Sequence, residues 1–529
     1  MVATDVIGKD GLAVPDWTYH PLRGIAAALL GTSRSRRVAL RALAVVGSSP
    51  GGGRAVSWVL GHRHAPSWLA GSVAGVAVRS RLGAVVPPEV AWAAVRALPL
   101  LGAGVVEVGP VGPADVRAVR VAARGRRVPV VVRATGPDVA GALSPHVDAV
   151  RVGADPDVVH LRATSPARAV DALADPAKVV LATPEVLVHA GPGWFSRVVE
   201  AATPTRPAPS VRDVGWDPRR WPAWWWGLLM GLGMVAAGLG AAAITLGPVL
   251  LWYDRGFLGA DVDRLHGINH HLVHFLQHDR ITMAGAMVAI GALYVGLAVG
   301  GIRAGRPWAR EALLVSGWIG FPTVLYFLGS GFVEPLHTAA AVVLFPMFLA
   351  ATRRRPDDPR WTPCPDGPER ERRRALVGQL LLVCTGVGLF VGGAVVSVVG
   401  LSDVFVPSDL VFLGVGPEVL DEANARLTAF IAHDRAGLGG VVMSAAAAIT
   451  LLGAWGWRRG ESWVWWSLAV AAAAGFLPAV VVHGVIGYTD AGHLAPVFAG
   501  IGLTATALVL ARPYLCARRE RDRAASPLP

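Results

Sequence analysis

Residues 265–280 read LHGINHHLVHFLQHDR, and residues 420–435 read LDEANARLTAFIAHDR. Sliding the chain by 155 residues sets Leu265 on Leu420, Asn269 on Asn424, Leu272 on Leu427, Phe275 on Phe430, and His278-Asp279-Arg280 on His433-Asp434-Arg435. The match continues through Gly285/Gly440, Gly305/Gly460, Trp308/Trp463 and Phe321/Phe476. After a one-residue insertion, an offset of 156 pairs Pro322/Pro478, Gly331/Gly487, Glu334/Asp490 and His337/His493. Self-similarity at a fixed spacing marks a duplicated structural unit.

The context of the repeat is apolar. Uncharged runs near residues 222–252, 281–301, 312–332, 335–352, 375–402, 436–457, 462–487 and 493–511 are long enough to cross about 30 Å of hydrocarbon as helices. Four such helices fall in each copy. An even number brings both copies into the bilayer from the same side, so the repeat is expected to be parallel, about an axis along the membrane normal. The chain is 53 % hydrophobic and 16 % charged, too apolar for a soluble protein of this length.

Charge then sets the orientation. With the N-terminus inside, the inner loops 302–311, 353–374 and 458–461 and the tail from Arg512 hold 18 arginines. The outer loops 253–280 and 403–435 hold 5 arginines against 10 acids. The positive-inside rule places both termini in the cytoplasm of a multi-pass cell-membrane protein. Trp221, Trp224, Trp225 and Trp226, after Arg219 and Arg220, read as an interfacial anchor. The net charge of +12 is almost wholly arginine, with Lys9 and Lys178 the only lysines. Because it lies in loops rather than on one soluble face, nucleic acid is not an expected partner. Cys364, Cys384 and Cys516 have no zinc or disulfide spacing. The stretch MVATDVIGKDGLAVPDW lacks the basic start and apolar core of a cleavable signal peptide.

The recurring polar residues form the candidate site: His278, Asp279, Arg280, Glu334 and His337, then His433, Asp434, Arg435, Asp490 and His493. They are expected on the outer face, each set within one four-helix unit, with the triplets just before the second helix of each copy. Carboxylate and imidazole suit a divalent ion, or proton exchange with a quinone or another redox partner near the bilayer surface. The plainer alternative is an Asp-Arg pair and a capping acid that tie helix ends together. His266, His270, His274 and His278, spaced by four, would line one helix side, but Asp421, Ala425 and Ala429 replace the first three in the second copy. His483 lies deeper, and no bis-histidine haem partner for it is identifiable.

Ahead of the membrane half, VVEVGPV (105–111), VPVVVRA (128–134), VDAVRVG (147–153) and KVVLATP (178–184) alternate with Ala-rich helical segments, as in a parallel α/β fold or small barrel. YHPLRGIAAALL from Tyr19 and RVALRALAVVG at 37–47 are similar to the N-terminal helical segment of quinone-linked dihydroorotate dehydrogenases. VAGVAVRSRLG (73–83), ALPLLGAGVVEVGPV (97–111), VPVVVRATGPDV (128–139) and ATPEVLVHAGPGWFSRVVEAA (182–202) resemble strands and the closing helix of that family. The resemblance covers most of residues 19–202 and implies a trimmed TIM barrel and FMN. This chain departs from the family where the flavin is held: Ala84-Val85-Val86-Pro87-Pro88-Glu89 replaces the flavin loop, Arg133 the strand lysine, and Ala182-Thr183-Pro184 the Tyr-Thr-Gly. Arg162-Ala163 stand near the phosphate glycines, and too few residues separate Val111 from Val128 for the loop with the serine base.

The expected organisation is therefore a dihydroorotate-dehydrogenase-like α/β domain (1–202), a linker (203–220), a first membrane repeat (221–352), an Arg-rich cytoplasmic loop (353–374), a second repeat (375–512) and a basic tail (513–529). The expected function is a non-catalytic cytoplasmic domain on a membrane unit whose outer site handles an ion, proton or redox partner. A flavin enzyme passing electrons to quinone and a transporter are the alternatives.

Overall fold

The computed structural model describes residues 16–59, 67–162, 166–191, 193–202, 209–353 and 369–517. The leading stretch, Ala163, Cys364 with most of the Arg-rich loop, and the tail beyond residue 517 lie outside the described residues.

The N-terminal region opens with helices Asp16–Leu30, Thr32–Ser48 and Gly52–Val59, then a hairpin of Gly71–Val73 and Val76–Val78. A six-stranded parallel sheet follows, of β1 (Leu82–Val86), β2 (Val106–Val111), β3 (Val130–Ala134), β4 (Ala149–Val152), β5 (Val158–Leu161) and β6 (Val179–Ala182), in the order β4-β3-β2-β1-β6-β5. The four strand candidates match β2, β3, β4 and β6; β5, at VVHL, is not among them, nor is β1, whose Ala84-Val85-Val86 the family resemblance sets in the flavin loop. Valine suits these positions because its branched side chain packs on a pleated surface, and β1 and β6 are buried along their whole length.

The two edge strands, β4 and β5, are joined by only five residues, 153–157. Extended chain covers about 3.5 Å per residue, so this link spans roughly 20 Å. The edges must therefore turn toward each other, which curls the sheet into a half-barrel. Glu107 on β2 confirms the curl: it meets Arg133 on β3 at 3.2 Å, Arg151 on β4 at 2.7 Å and His160 on β5 at 3.0 Å. The Glu107 side chain is buried, and although burial alone would raise its pKa, the bond from His160 and the nearby arginines hold it below the usual range.

Beyond residue 220, eight helices among the described residues are long and apolar enough to cross a membrane: α1 (Ala223–Leu246), α2 (Leu272–Ile302), α3 (Pro307–Gly329), α4 (Pro335–Arg353), α5 (Arg370–Leu401), α6 (Leu427–Gly456), α7 (Ser462–Ile486) and α8 (Ala491–Leu515). In α2 and α6, 67 % and 83 % of the apolar stretch is buried, against a third or less in the others. These two helices form the centre of the bundle. The remaining six present exposed Leu239, Leu325, Val342, Val391, Val485 and Val509 outward, an apolar surface that water would not tolerate and lipid would.

The packing interlocks the two halves. Helix α1 packs on α2 and α4, and α5 on α6 and α8. Helix α7 lies on α2, however, and α3 lies on α6. Glycine permits the closest approaches: a Cβ at Gly238 would stand 2.8 Å from the Ala284 carbonyl oxygen, and one at Gly393 would stand 2.7 Å from that of Gly439. Both pairs obey the 155-residue offset. Just before α3 and α7, Arg306 Nη2 donates to Glu461 Oε1 at 2.6 Å, and at the start of these helices Trp308 stacks on Trp463 at 6.1 Å.

Two expectations need correction. The His-Asp-Arg triplets stand inside α2 and α6 rather than ahead of them, because these helices begin at Leu272 and Leu427. Charge can sit there because each triplet finds a buried partner. The four-spaced histidines do not share one helix: helix Val262–Ile268 stops at Asn269, which is extended at φ −155°. His266, His270 and His274 still lie within about 6 Å of one another by ring centroid, whereas His278 turns into the bundle.

Candidate functional site

Helices α2, α4, α6 and α8 all begin at one end of the bundle, and the predicted polar residues gather there. Two loops prepare the site in the same way. Val249 and Val404 adopt φ of 58° and 65°, a costly conformation for a branched residue. The turn aims each carbonyl at an arginine: Arg280 Nη1 donates to Val249 O and Arg435 Nη1 to Val404 O, both at 2.8 Å. Short helices Trp252–Leu258 and Pro407–Leu413 follow. Asp254 accepts the Leu251 amide at 2.9 Å, and Asp409 accepts the Val406 amide at 2.7 Å.

The halves then exchange bonds. Arg280 Nε donates to Asp434 Oδ2 at 2.9 Å, and Arg435 Nε to Asp279 Oδ2 at 3.2 Å. Arg280 lies over Phe430 and Arg435 over Phe275, at 4.9 and 5.0 Å. Asn269 donates to Leu413 O and Asn424 to Leu258 O, at 2.8 and 2.9 Å. Every one of these contacts has its reciprocal.

The same exchange regroups the histidines. His278 faces His483, Tyr488 and His493, with ring centroids 4.7, 5.5 and 6.0 Å away. His433 faces Phe327 and Phe332 at 5.2 and 4.8 Å, and shares a cavity with His337. Each triplet histidine thus meets the acid-histidine region of the other half, which corrects the expectation of one complete set within each unit. The reason is the helix interlock, since α7 and α3 each cross to the opposite central helix.

The first centre is open. A cleft is lined at its polar end by Tyr253, Asp254, Arg280, Glu334, His337 and His433. It shares Met283, Met287, His337 and His433 with a neighbouring cavity that runs on past Met234, Phe321 and Leu344. Glu334 Oε1 accepts the Tyr253 hydroxyl at 2.5 Å, and Oε2 accepts the His337 amide at 2.7 Å. Burial pushes Glu334 up, but His337 and Tyr253 outweigh it and bring its pKa to about 2. Asp254 goes the other way: burial raises it to about 6, and Arg280, at 3.7 Å, compensates incompletely.

The second centre is packed. Asp409 accepts bonds from Arg435 Nη1 at 2.5 Å and from the Tyr488 hydroxyl at 2.7 Å. Burial again raises the acid, but these bonds hold it below the usual carboxylate range. One ring nitrogen from each of His278, His483 and His493 lies within 4.8 Å of the others. Asp490 stays exposed and only caps α8 by accepting the His493 amide at 2.7 Å, so it does not enter the cluster as the repeat had suggested.

Tyr253, Asp254, Asp409 and Tyr488 escaped the reading of the sequence. The 155-residue offset would have paired Asp254 with Asp409. Tyr488 offered no such signal, because its counterpart at offset 156 is Phe332. No family model, curated protein or solved structure matches the chain.

Proposed function

We propose that this chain is a polytopic cell-membrane protein with both termini in the cytoplasm. In this reading two parallel four-helix units, related by an axis along the membrane normal, present polar centres at the outer face for proton-linked exchange with a redox partner. The excess of arginine in the inner loops supports the orientation, and the offset-matched contacts support the duplication.

One observation carries the functional reading: two cavities that share part of their lining join a polar end, with Tyr253, Asp254, Glu334 and His337, to an apolar run lined by Met234, Met283 and Met287. That is the shape of an amphiphile with a carbonyl-bearing head and a lipid-soluble tail. A membrane quinone has this chemistry. Its carbonyls would accept from His337 or protonated Asp254, and its tail would lie on adaptable methionines. A purely structural ion pair would need no cleft.

The N-terminal half-barrel belongs to this reading as a non-catalytic, dihydroorotate-dehydrogenase-like cytoplasmic domain. FMN does not fit the residues present. Arg133, at the position of the family's lysine, is bound to Glu107, and Ala84-Val85-Val86-Pro87-Pro88-Glu89, in the place of the family's flavin loop, offers neither glycine nor lysine. The domain is tied to the bundle by Arg372 Nη1, 3.5 Å from Asp16 Oδ2, which suits a regulatory or interaction role.

Equilibrium binding of a short-tailed quinone to the full chain in mild detergent tests the reading. Saturable binding near one per chain, weakened at least about tenfold by Glu334→Gln (a loss of about 1.4 kcal/mol) and unaffected by Ser408→Ala, is the expected result. Absence of saturable binding, or indifference to Glu334→Gln, would overturn it.

A further inference from the structure

We infer that His278, His483 and His493 form a three-imidazole site for one divalent transition-metal ion, distinct from the cavity of the other centre. The inference stands on the packed centre and does not depend on the quinone reading.

Hydrogen bonding sets the tautomers. His278 Nδ1 lies 3.1 Å from Phe275 O, and His483 Nδ1 lies 2.6 Å from Ala479 O. A carbonyl can only accept, so each Nδ1 carries the hydrogen and each Nε2 keeps its lone pair. Tyr488 donates its single hydroxyl hydrogen to Asp409, so at 3.3 Å from His493 Nδ1 it acts as acceptor. His493 is thereby placed in the same tautomer. Outer partners that take up one imidazole nitrogen and present the other are the usual support of a metal-binding histidine.

One of the free nitrogens has no other partner. His483 is 4 % exposed, and its Nε2 is buried without a hydrogen-bond partner. An orphaned polar atom costs about 1–3 kcal/mol, and a metal ion would satisfy it. The surroundings favour a cation, because Asp279 and Asp409 are balanced by Arg435 alone among the charged groups bonded here. Three imidazoles without a carboxylate ligand suit zinc or copper rather than magnesium or calcium. They also leave a fourth position open, as catalytic rather than structural zinc sites do.

The other half supplies the internal control. At the matched positions stand His433, Phe327 and His337, so one ligand is missing there. The stoichiometry should be one ion per chain, not two. Phenylalanine is already tolerated at the position matching His483: Phe327 packs 5.2 Å from His433.

Chelator-treated full-length protein in detergent would be titrated with Co²⁺, followed by its visible absorption, and separately with Zn²⁺ by elemental analysis after desalting. The expected result is one equivalent of either ion and none of Mg²⁺, with binding lost in His483→Phe and lowered at least tenfold in His493→Gln, both variants remaining monodisperse. If His483→Phe fails to fold, His493→Gln decides. Failure of the wild type to bind, two equivalents per chain, or full binding by the folded variants would overturn the inference.

Discussion

Asp254 and Asp409 occupy matched positions, each buried, each accepting an amide at the start of a short helix, yet their acidities diverge. The difference traces to where one tyrosine stands. In the second centre Tyr488 and a directly bonded Arg435 both serve Asp409. In the first, Tyr253 turns away to Glu334, and Arg280 stays 3.7 Å from Asp254. One scaffold thus yields a cleft whose acid is pushed up to about 6 and a packed cluster whose acid is held below the usual carboxylate range. The shared Asp-Arg exchange holds the scaffold together, while the residues around it set the chemistry.

The largest expected effect comes from breaking what the centres share. Arg435→Leu would leave Asp279 and Asp409 buried without their cation, and removal of one partner from a buried pair costs about 3–5 kcal/mol. Loss of folded protein, measured as the monodisperse fraction after extraction, is expected. Arg280→Leu should behave similarly. If only one of the two variants fails, the reciprocal exchange is not what joins the halves.

A second test separates the centres by pH. Because the pKa of Asp254 is raised to about 6, its carboxyl carries a proton to donate below that value and loses it above. Quinone affinity should fall as pH rises through about 6, and Asp254→Asn should flatten the profile. Stability follows the same sign: a carboxyl raised on folding stabilises at low pH, and that contribution is lost between its ordinary value and about 6. Asp409, held low, should give no transition in this window, so Asp409→Asn should leave the profile in place in whatever folded protein it yields.

The smallest effect concerns the side-chain amides. Asn269→Ala and Asn424→Ala each remove one bond to the other half and should each cost about 1 kcal/mol, read as a small fall in thermal midpoint. Equal losses support the symmetry of the exchange, and a large difference would restrict it to one side.

Much of this was legible in the chain. Apolar run length marked the eight helices, and the repeat put His278, His433, His337 and His493 at one end. Three features were not legible, each for a physical reason. The interlock of α3 with α6 and of α7 with α2 leaves no trace in periodicity, so the histidines were grouped within halves instead of across them. The buried triplets looked like loop because charge normally ends an apolar helix; only their partners, 154 and 156 residues away, make burial affordable. The curl of the N-terminal sheet depended on the short strand Val158–Leu161 and its five-residue link, which carry too few residues for a pattern.

Two matched centres that take different ligands must lose them independently, so metal content and quinone binding are to be measured together on the same preparations of wild type, His483→Phe and Glu334→Gln. The expected result is that His483→Phe loses the metal and keeps the quinone, while Glu334→Gln loses the quinone and keeps the metal. Variants that lose both ligands together while remaining folded, or that lose neither, would contradict it.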